Sequence, residues 1–250
     1  MIRGLYVAGT GMMVQRRLME TVTNNITNVE TTGYKKNYLI THSFDEVMLE
    51  RIQDAQFVGM KPQVGNMTFG ALVDQIYQDF SQGSFETTGR PTDLGLAGDG
   101  FFVVSTPEGE RYTRAGAFAV SVDGYLCDPN GNYLLGRNGR INVGNNDFGV
   151  DELGNVVADE RYIDTIRTVS FADNNTLRSM GDNLFSSTAG AVESSDARIK
   201  QGFIENSNVA VSREMVDMIT VFRAYETNQK ILTMIDETLG RAVNEIGALR

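Results

Sequence analysis

Both ends of this 250-residue chain carry apolar side chains at alternating three- and four-residue steps, which restricts each end to a helix with one narrow seam. At the N-terminal end the steps fall on Leu5, Ala8, Met12, Gln15, Met19, Val22, Ile26 and Val29, seven of the eight being apolar. At the C-terminal end they fall on Met215, Met218, Phe222, Tyr225, Gln229, Leu232, Asp236, Leu239, Val243 and Ile246, eight of the ten being apolar. A stripe this narrow is not the face that an ordinary globular core buries, so the helices are expected to face each other or other chains. Gly4, Gly9 and Gly11 each weaken the first helix by about 1 kcal/mol relative to alanine, so its first turns need packing partners. Ser212, followed by Glu214 and Asp217, is expected to cap the second helix, about 35 residues and roughly 50 Å long at about 1.5 Å per residue.

The first helix runs into TNNITNVETTGYKK, Thr23 to Lys36. Gly33 is expected to take the left-handed conformation that ends a helix, with Tyr34, Lys35 and Lys36 leading out of it. Asn24, Asn25, Thr27 and Asn28 are weak helix formers of the kind that helices usually place at their ends.

Between the helices the pattern changes to β. Turn pairs recur at Glu108-Gly109, Asp123-Gly124, Asn130-Gly131, Asn138-Gly139 and Leu153-Gly154. Phe101–Val104, the alternating Phe118, Val120 and Val122, and Thr165–Phe171 are predicted as strands. The expected fold is therefore α+β: long N- and C-terminal helices forming a coiled-coil-like helical domain, with a central β-rich hairpin domain. The expected parts are the N-terminal helix over 1–36, a connector over 37–70, the β-rich domain over 71–204 and the C-terminal helix over 205–250. Ser43 and Glu46 make a capping box that predicts a short helix over Phe44–Ile52 in the connector, and Lys61–Met67 is predicted to be irregular.

No catalytic residue, cofactor site or metal site is expected. His42 is the sole histidine, which disfavours a histidine-based metal site or serine triad within the chain, and Cys127 is the sole cysteine, expected to be a small buried residue. The glycine-rich GLAGDG, Gly95 to Gly100, opens an apolar strand and not a helix, so a tight turn is expected in place of a phosphate loop. DPNGN, Asp128 to Asn132, lacks the glycine and glutamate that a calcium loop needs farther on and is expected to be a β-turn. Carboxylate pairs such as Asp45-Glu46, Asp151-Glu152 and Asp159-Glu160 sit beside turns and are expected to be solvated. Net charge is −10, concentrated in the centre, with 12 basic and 23 acidic residues between 37 and 204. That balance argues against nucleic acid as a partner. No apolar run approaches the roughly 20 residues of a membrane span, so no membrane insertion is expected, and the N-terminus does not have the pattern of a secretory signal.

The two ends also carry matched motifs. Asn24, Asn25, Asn28, Thr31 or Thr32, Gly33, Tyr34 and Lys35 resemble the N-terminal signature of the bacterial flagellar rod, hook and basal-body protein family. Ser207-Asn208-Val209, Glu214-Met215-Val216, Met218-Ile219, Arg223-Ala224-Tyr225, Asn228 and Lys230 resemble its C-terminal signature. RPTDLGLAGDGFFVV and YTRAGAFAVSVDGYL are similar to the β-domain segments of rod and hook subunits, so the likeness covers nearly the whole chain. MIRGLYVAGTGM is similar to proximal rod subunits and FRAYETNQKIL to distal ones. The resemblance implies a structural subunit of a helical tube that transmits torque and passes exported subunits. It implies itself and other rod and hook subunits as partners, export through the flagellar type III apparatus without a cleaved signal, and no small-molecule substrate. The implied assembly interface is the two seams together with Asn24, Asn25, Asn28, Gly33, Tyr34 and Asn228. Two other readings stand beside it: a secreted carbohydrate-binding or carbohydrate-active β domain with helical ends, and a helical adaptor that does not polymerise.

Overall fold

The computed structural model describes residues 2–50, 63–144, 147–187, 190, 192–193 and 197–247. A single helix occupies each end, α1 over Ile2–Thr27 and α2 over Val211–Gly247. The first strands are β1 (Asn37–Ser43), β2 (Val47–Glu50), β3 (Gln63–Met67) and β4 (Ala71–Gln78). They are followed by β5 (Phe85–Thr87), β6 (Leu94–Ala97), β7 (Phe101–Thr106), β8 (Gly109–Thr113), β9 (Ala119–Val120), β10 (Leu126–Cys127), β11 (Tyr133–Leu134) and β12 (Phe148–Val150). The last are β13 (Asn155–Ala158), β14 (Arg161–Thr165), β15 (Thr168–Ser170), β16 (Leu177–Gly181), β17 (Leu184–Ser187), β18 (Val192–Glu193), β19 (Arg198–Gln201) and β20 (Phe203–Glu205).

The chain divides into two compact units, Met1–Ile26 with Asn37–Tyr77 and Val211–Arg250, and Thr27–Lys36 with Gln78–Ala210. That division corrects the expected fold class. The central β-rich region is present, but the terminal helices do not form a coiled-coil-like helical domain. β1 to β4 share the first unit with α1 and α2, and the seam residues Leu5, Met215, Phe222 and Val243 are exposed where a supercoiled pair would bury them. The capping-box reading of Ser43 and Glu46 also gives way. Ser43 ends β1, β2 occupies Val47–Glu50, and Glu46 Oε2 accepts a bond from Asn66 Nδ2 at 2.9 Å. Ile52 and Lys61, at the ends of the two segments predicted there, lie outside the described residues, and the segment expected to be irregular carries β3. β2 and β3 pair antiparallel from Val47↔Met67 to Glu50↔Gln63, and β1 pairs with β4.

In the second unit β7 is the axis. Phe102 and Val104 face a cluster containing Leu94, Phe118, Leu126 and Ile141, while Phe101 and Val103 face Val169, Leu177 and Phe185. An unbroken apolar run such as FFVV is what a strand covered on both faces requires. β7 pairs antiparallel with β8, β11 and β15, and its sheet runs β16-β17-β8-β7-β11-β10-β9. The five expected turn pairs fall where strands reverse, four between consecutive strands and Asn138-Gly139 inside the Leu135↔Arg140 bridge. GLAGDG passes from β6 into β7 as a turn. In DPNGN, Asp128 Oδ1 accepts from the amides of Asn130 and Asn132 at 2.9 and 2.8 Å, so the carboxylate closes the turn. Cys127 on β10 is partly exposed, and burial with the neighbouring Asp128 carboxylate pushes its thiol pKa up.

Candidate assembly interface

In the first unit α1 and α2 lie antiparallel and in step. A β-carbon added at Gly4 would stand 3.3 Å from Ile235 Cδ1, and one at Gly11 would stand 3.0 Å from Asn228 Nδ2. Farther along, Asn25 Nδ2 donates to Glu214 Oε2 at 3.1 Å. Each advance along α1 is matched by an equal retreat along α2. Two of the three glycines that weaken α1 as an isolated helix, Gly4 and Gly11, are therefore positions where the neighbouring helix comes close, whereas a β-carbon at Gly9 would meet nothing within 4 Å. Asn25 is 1% exposed; it also donates to the Asn37 carbonyl at 2.9 Å and accepts from the Asn37 amide at 3.0 Å. Its side-chain amide serves the first residue of β1 as a neighbouring strand would, which gives a weak helix former its place. β1 to β4 come back beside α1: the Tyr6 and Phe44 rings are 6.5 Å apart, Arg3 lies over Phe69, and any side chain at Gly70 would strike Thr10.

The inward positions of α2 are Glu214, Met218, Val221, Tyr225, Asn228, Leu232, Ile235, Leu239 and Ala242, buried or half-buried in four-then-three steps. Met218, Tyr225, Leu232 and Leu239 belong to the seam drawn from the sequence. The alternate members lie one residue earlier than drawn, so Met215, Phe222 and Val243 point outward at 52%, 49% and 70% exposure. The side chain of Ile246 lies outside the described residues. On α1, Ala8 and Val22 are buried, Met12, Met19 and Ile26 half-buried, and Leu5 and Asn24 exposed. Val211, Met215, Ile219 and Phe222 thus form an exposed apolar ridge on successive turns of α2. Among the described residues, the first unit buries three hydrophobic side chains and exposes nineteen large ones, whereas the second buries twenty and exposes six. The first unit is therefore the sticky part of the chain.

Asn28, Val29, Gly33 and Tyr34 belong to the second unit. Asn28 and Val29 are half-buried, and Tyr34 is buried. Gly33 has φ 67, its amide donates to the Glu205 carbonyl at 2.7 Å, and a β-carbon there would collide with the Arg114–Ala115 backbone. Lys35 Nζ donates to Glu205 Oε1 and to the Ser81 carbonyl, both at 2.7 Å, and Arg114 Nε donates to Glu205 Oε2 at 2.8 Å. These three ionic side chains are at most 4% exposed. Burial pushes the Lys35 ammonium below its ordinary pKa, and the Glu205 carboxylate opposes this only in part. Lys36 and Asn208 are joined as well, the Lys36 amide donating to Asn208 Oδ1 at 2.8 Å. Asn208 Nδ2 donates in turn to the carbonyls of Asp79 and Ser81. The two terminal motifs are thus clasped to each other. Sequence reasoning missed Glu205, Arg114 and Asn208 as the partners of this clasp; a charged pair, Lys35-Lys36, directly after a helix-ending glycine was the only hint.

Comparison with known proteins gives matches at both motifs and between them. Residues 5–35 match the model of the flagella basal body rod protein, residues 95–158 that of the flagellar hook protein FlgE/F/G D1 domain, and residues 200–245 that of the flagellar basal body rod FlgEFG protein C-terminal region. The chain is 32% identical to the flagellar basal-body rod protein FlgG of Agrobacterium fabrum, over 94% of this chain and 96% of that one. It is 31% identical to FlgG of Bacillus subtilis over 98% and 99% of the two chains. The flagellar hook-basal body complex protein FlhO of the same organism is 31% identical over the full length of both.

Proposed function

Because this chain belongs to the flagellar basal-body rod protein family, as a structural rod subunit of the flagellum's basal body, we propose that its terminal helices carry its polymerisation. Copies of this chain, and other rod and hook subunits, cover the apolar surface that its first unit leaves open. The product is a helical tube that carries torque and passes exported subunits. The terminal segments 1–36 and 205–250 supply the assembly surface, together with the strands of 37–77, and 78–204 supplies a body that folds around its own core. The chain travels through the flagellar type III export apparatus without a cleaved signal, and it performs no catalysis.

The observation that carries this reading is the apolar ridge of Val211, Met215, Ile219 and Phe222, on a unit whose buried apolar side chains are outnumbered by its exposed ones. Exposed apolar surface of this extent costs free energy in water, at roughly 25 cal/mol per Å², until another surface covers it. Negative-stain microscopy and sedimentation of the concentrated chain test the proposal. Rods or defined oligomers are expected from the natural sequence and none from Phe222→Asp. A chain that stays monomeric at high concentration sinks polymerisation, and binding of a glycan panel by the natural chain would favour the carbohydrate-binding reading instead. Loss of the protein from culture medium when the flagellar export apparatus is disabled tests the export route.

A further inference from the structure

We propose that the depression at Gly9 on α1 receives the apolar ridge of α2 from a second copy of this chain, with Phe222 as the inserted side chain. This contact rests on polymerisation through the terminal helices and adds the place where two copies touch.

A glycine inside a helix weakens it, and close packing offsets the loss. Two of the three on α1 are used in this way within the chain, Gly4 against Ile235 and Gly11 against Asn228. Gly9 is not, since a β-carbon there would meet no atom within 4 Å. At about 100° per residue, Gly9 is turned about 100° from Ala8 and about 140° from Val14, the two buried apolar residues on this half of the helix. It therefore opens on a face of α1 that the chain leaves uncovered.

That face is apolar. One turn to either side of Gly9 stand Leu5, Tyr6, Met12 and Met13; Leu5, Tyr6 and Met13 are exposed and Met12 is half-buried. Four large side chains around a residue that has none make a shallow hole, which a side chain from a neighbouring helix can fill. Residues 4–15 carry no charge, so the occupant is apolar: a polar group would give up its water there without an ionic partner. The ridge has the matching chemistry, with Ile219 and Phe222 exposed and no charge between Asp217 and Arg223. Within one chain the two cannot meet. By the antiparallel step of α1 and α2, Phe222 stands level with Arg17, eight residues and about 12 Å along α1 from Gly9. A second copy is needed to bring the ridge to the hole.

Sedimentation of the natural chain, Gly9→Leu, Phe222→Ala and the double variant over a range of concentrations tests this, with melting of the dilute monomers followed by circular dichroism. Leucine favours helix and meets no neighbour at Gly9 in the monomer, so Gly9→Leu is expected to raise the melting temperature by up to about 4 °C. The same change fills the hole and is expected to raise the concentration needed for assembly by roughly tenfold or more. Phe222→Ala is expected to raise it to a similar extent, and the double variant to stay within a few-fold of either single one, because the leucine occupies the space that the ring has left. A natural chain that does not assemble overturns polymerisation and this contact with it. If the natural chain assembles and Gly9→Leu does so at the same concentration, the contact alone falls. Single losses that multiply in the double variant put Gly9 and Phe222 in separate contacts and overturn it too. A lowered melting temperature for Gly9→Leu shows that the monomer already fills the hole, which also overturns it.

Discussion

The two units of this chain place their apolar residues in opposite ways. The second hides Phe101, Phe102, Val103 and Val104 on both faces of one strand, while the first presents Met215, Ile219 and Phe222 to solvent. Both come from one chain of ordinary composition, 41% apolar. The difference is geometric. A sheet strand whose two faces are covered by neighbouring segments completes its own core, whereas a pair of slender helices has more lateral surface than it can cover. The second unit covers most of its apolar side chains within a single copy; the first leaves most of its large ones exposed.

That contrast can be broken most forcefully at Phe102. Phe102→Ala is expected to cost about 3–5 kcal/mol in a denaturant titration of the monomer, because the ring is fully buried against Phe118. Asn25→Ala follows at about 1–3 kcal/mol, since it strips a partner from Glu214 and from the Asn37 main chain. A smaller, pH-dependent effect is expected at Lys35. Its folded pKa lies below the unfolded one, so the unfolded chain holds more protons in the window between them. The stability of the natural chain should therefore rise relative to Lys35→Met as pH climbs through that window toward about 10.4. The gain is at most about 1.4 kcal/mol per pH unit, and urea midpoints at several pH values read it. A difference that is flat or falls with pH contradicts the buried-ammonium account. The smallest change in monomer stability, within about 0.5 kcal/mol, is expected for Phe222→Asp, whose ring is 49% exposed. A large destabilisation there would show that the first unit uses this ridge for its own fold.

How far the sequence revealed these units depended on whether the informative residues were apolar. Helix positions were legible: the seam placed a helix over Leu5–Val29, and α1 occupies Ile2–Thr27. Ser212 was expected to cap the second helix, but that helix begins one residue earlier, at Val211, so the serine lies inside its first turn. FFVV and the turn pairs located the central sheet. The inward face of α2 was only half legible, because Glu214, Asn228 and Ala242 are weak signals beside Met215, Phe222 and Val243, and hydropathy selects the louder set. In the same way Gly33 could be read as a helix end, but not as a residue pressed against Arg114, since their adjacency depends on tertiary folding. The strands of 37–77 were hidden by a local motif: Ser43 and Glu46 have capping-box spacing, yet Glu46 is used across a strand pair by Asn66.

The join at Lys36, Asp79 and Asn208 has a mechanical consequence. The Lys36 carbonyl accepts from the Asp79 amide at 2.9 Å, the Asp79 carbonyl accepts from Asn208 at 2.8 Å, and Asn208 accepts from the Lys36 amide. Three separate passages of the chain are thereby lashed together a residue or two from where each crosses from one unit to the other. Tension arriving along any one passage is divided among all three, as in a spliced rope, before it reaches the sheet.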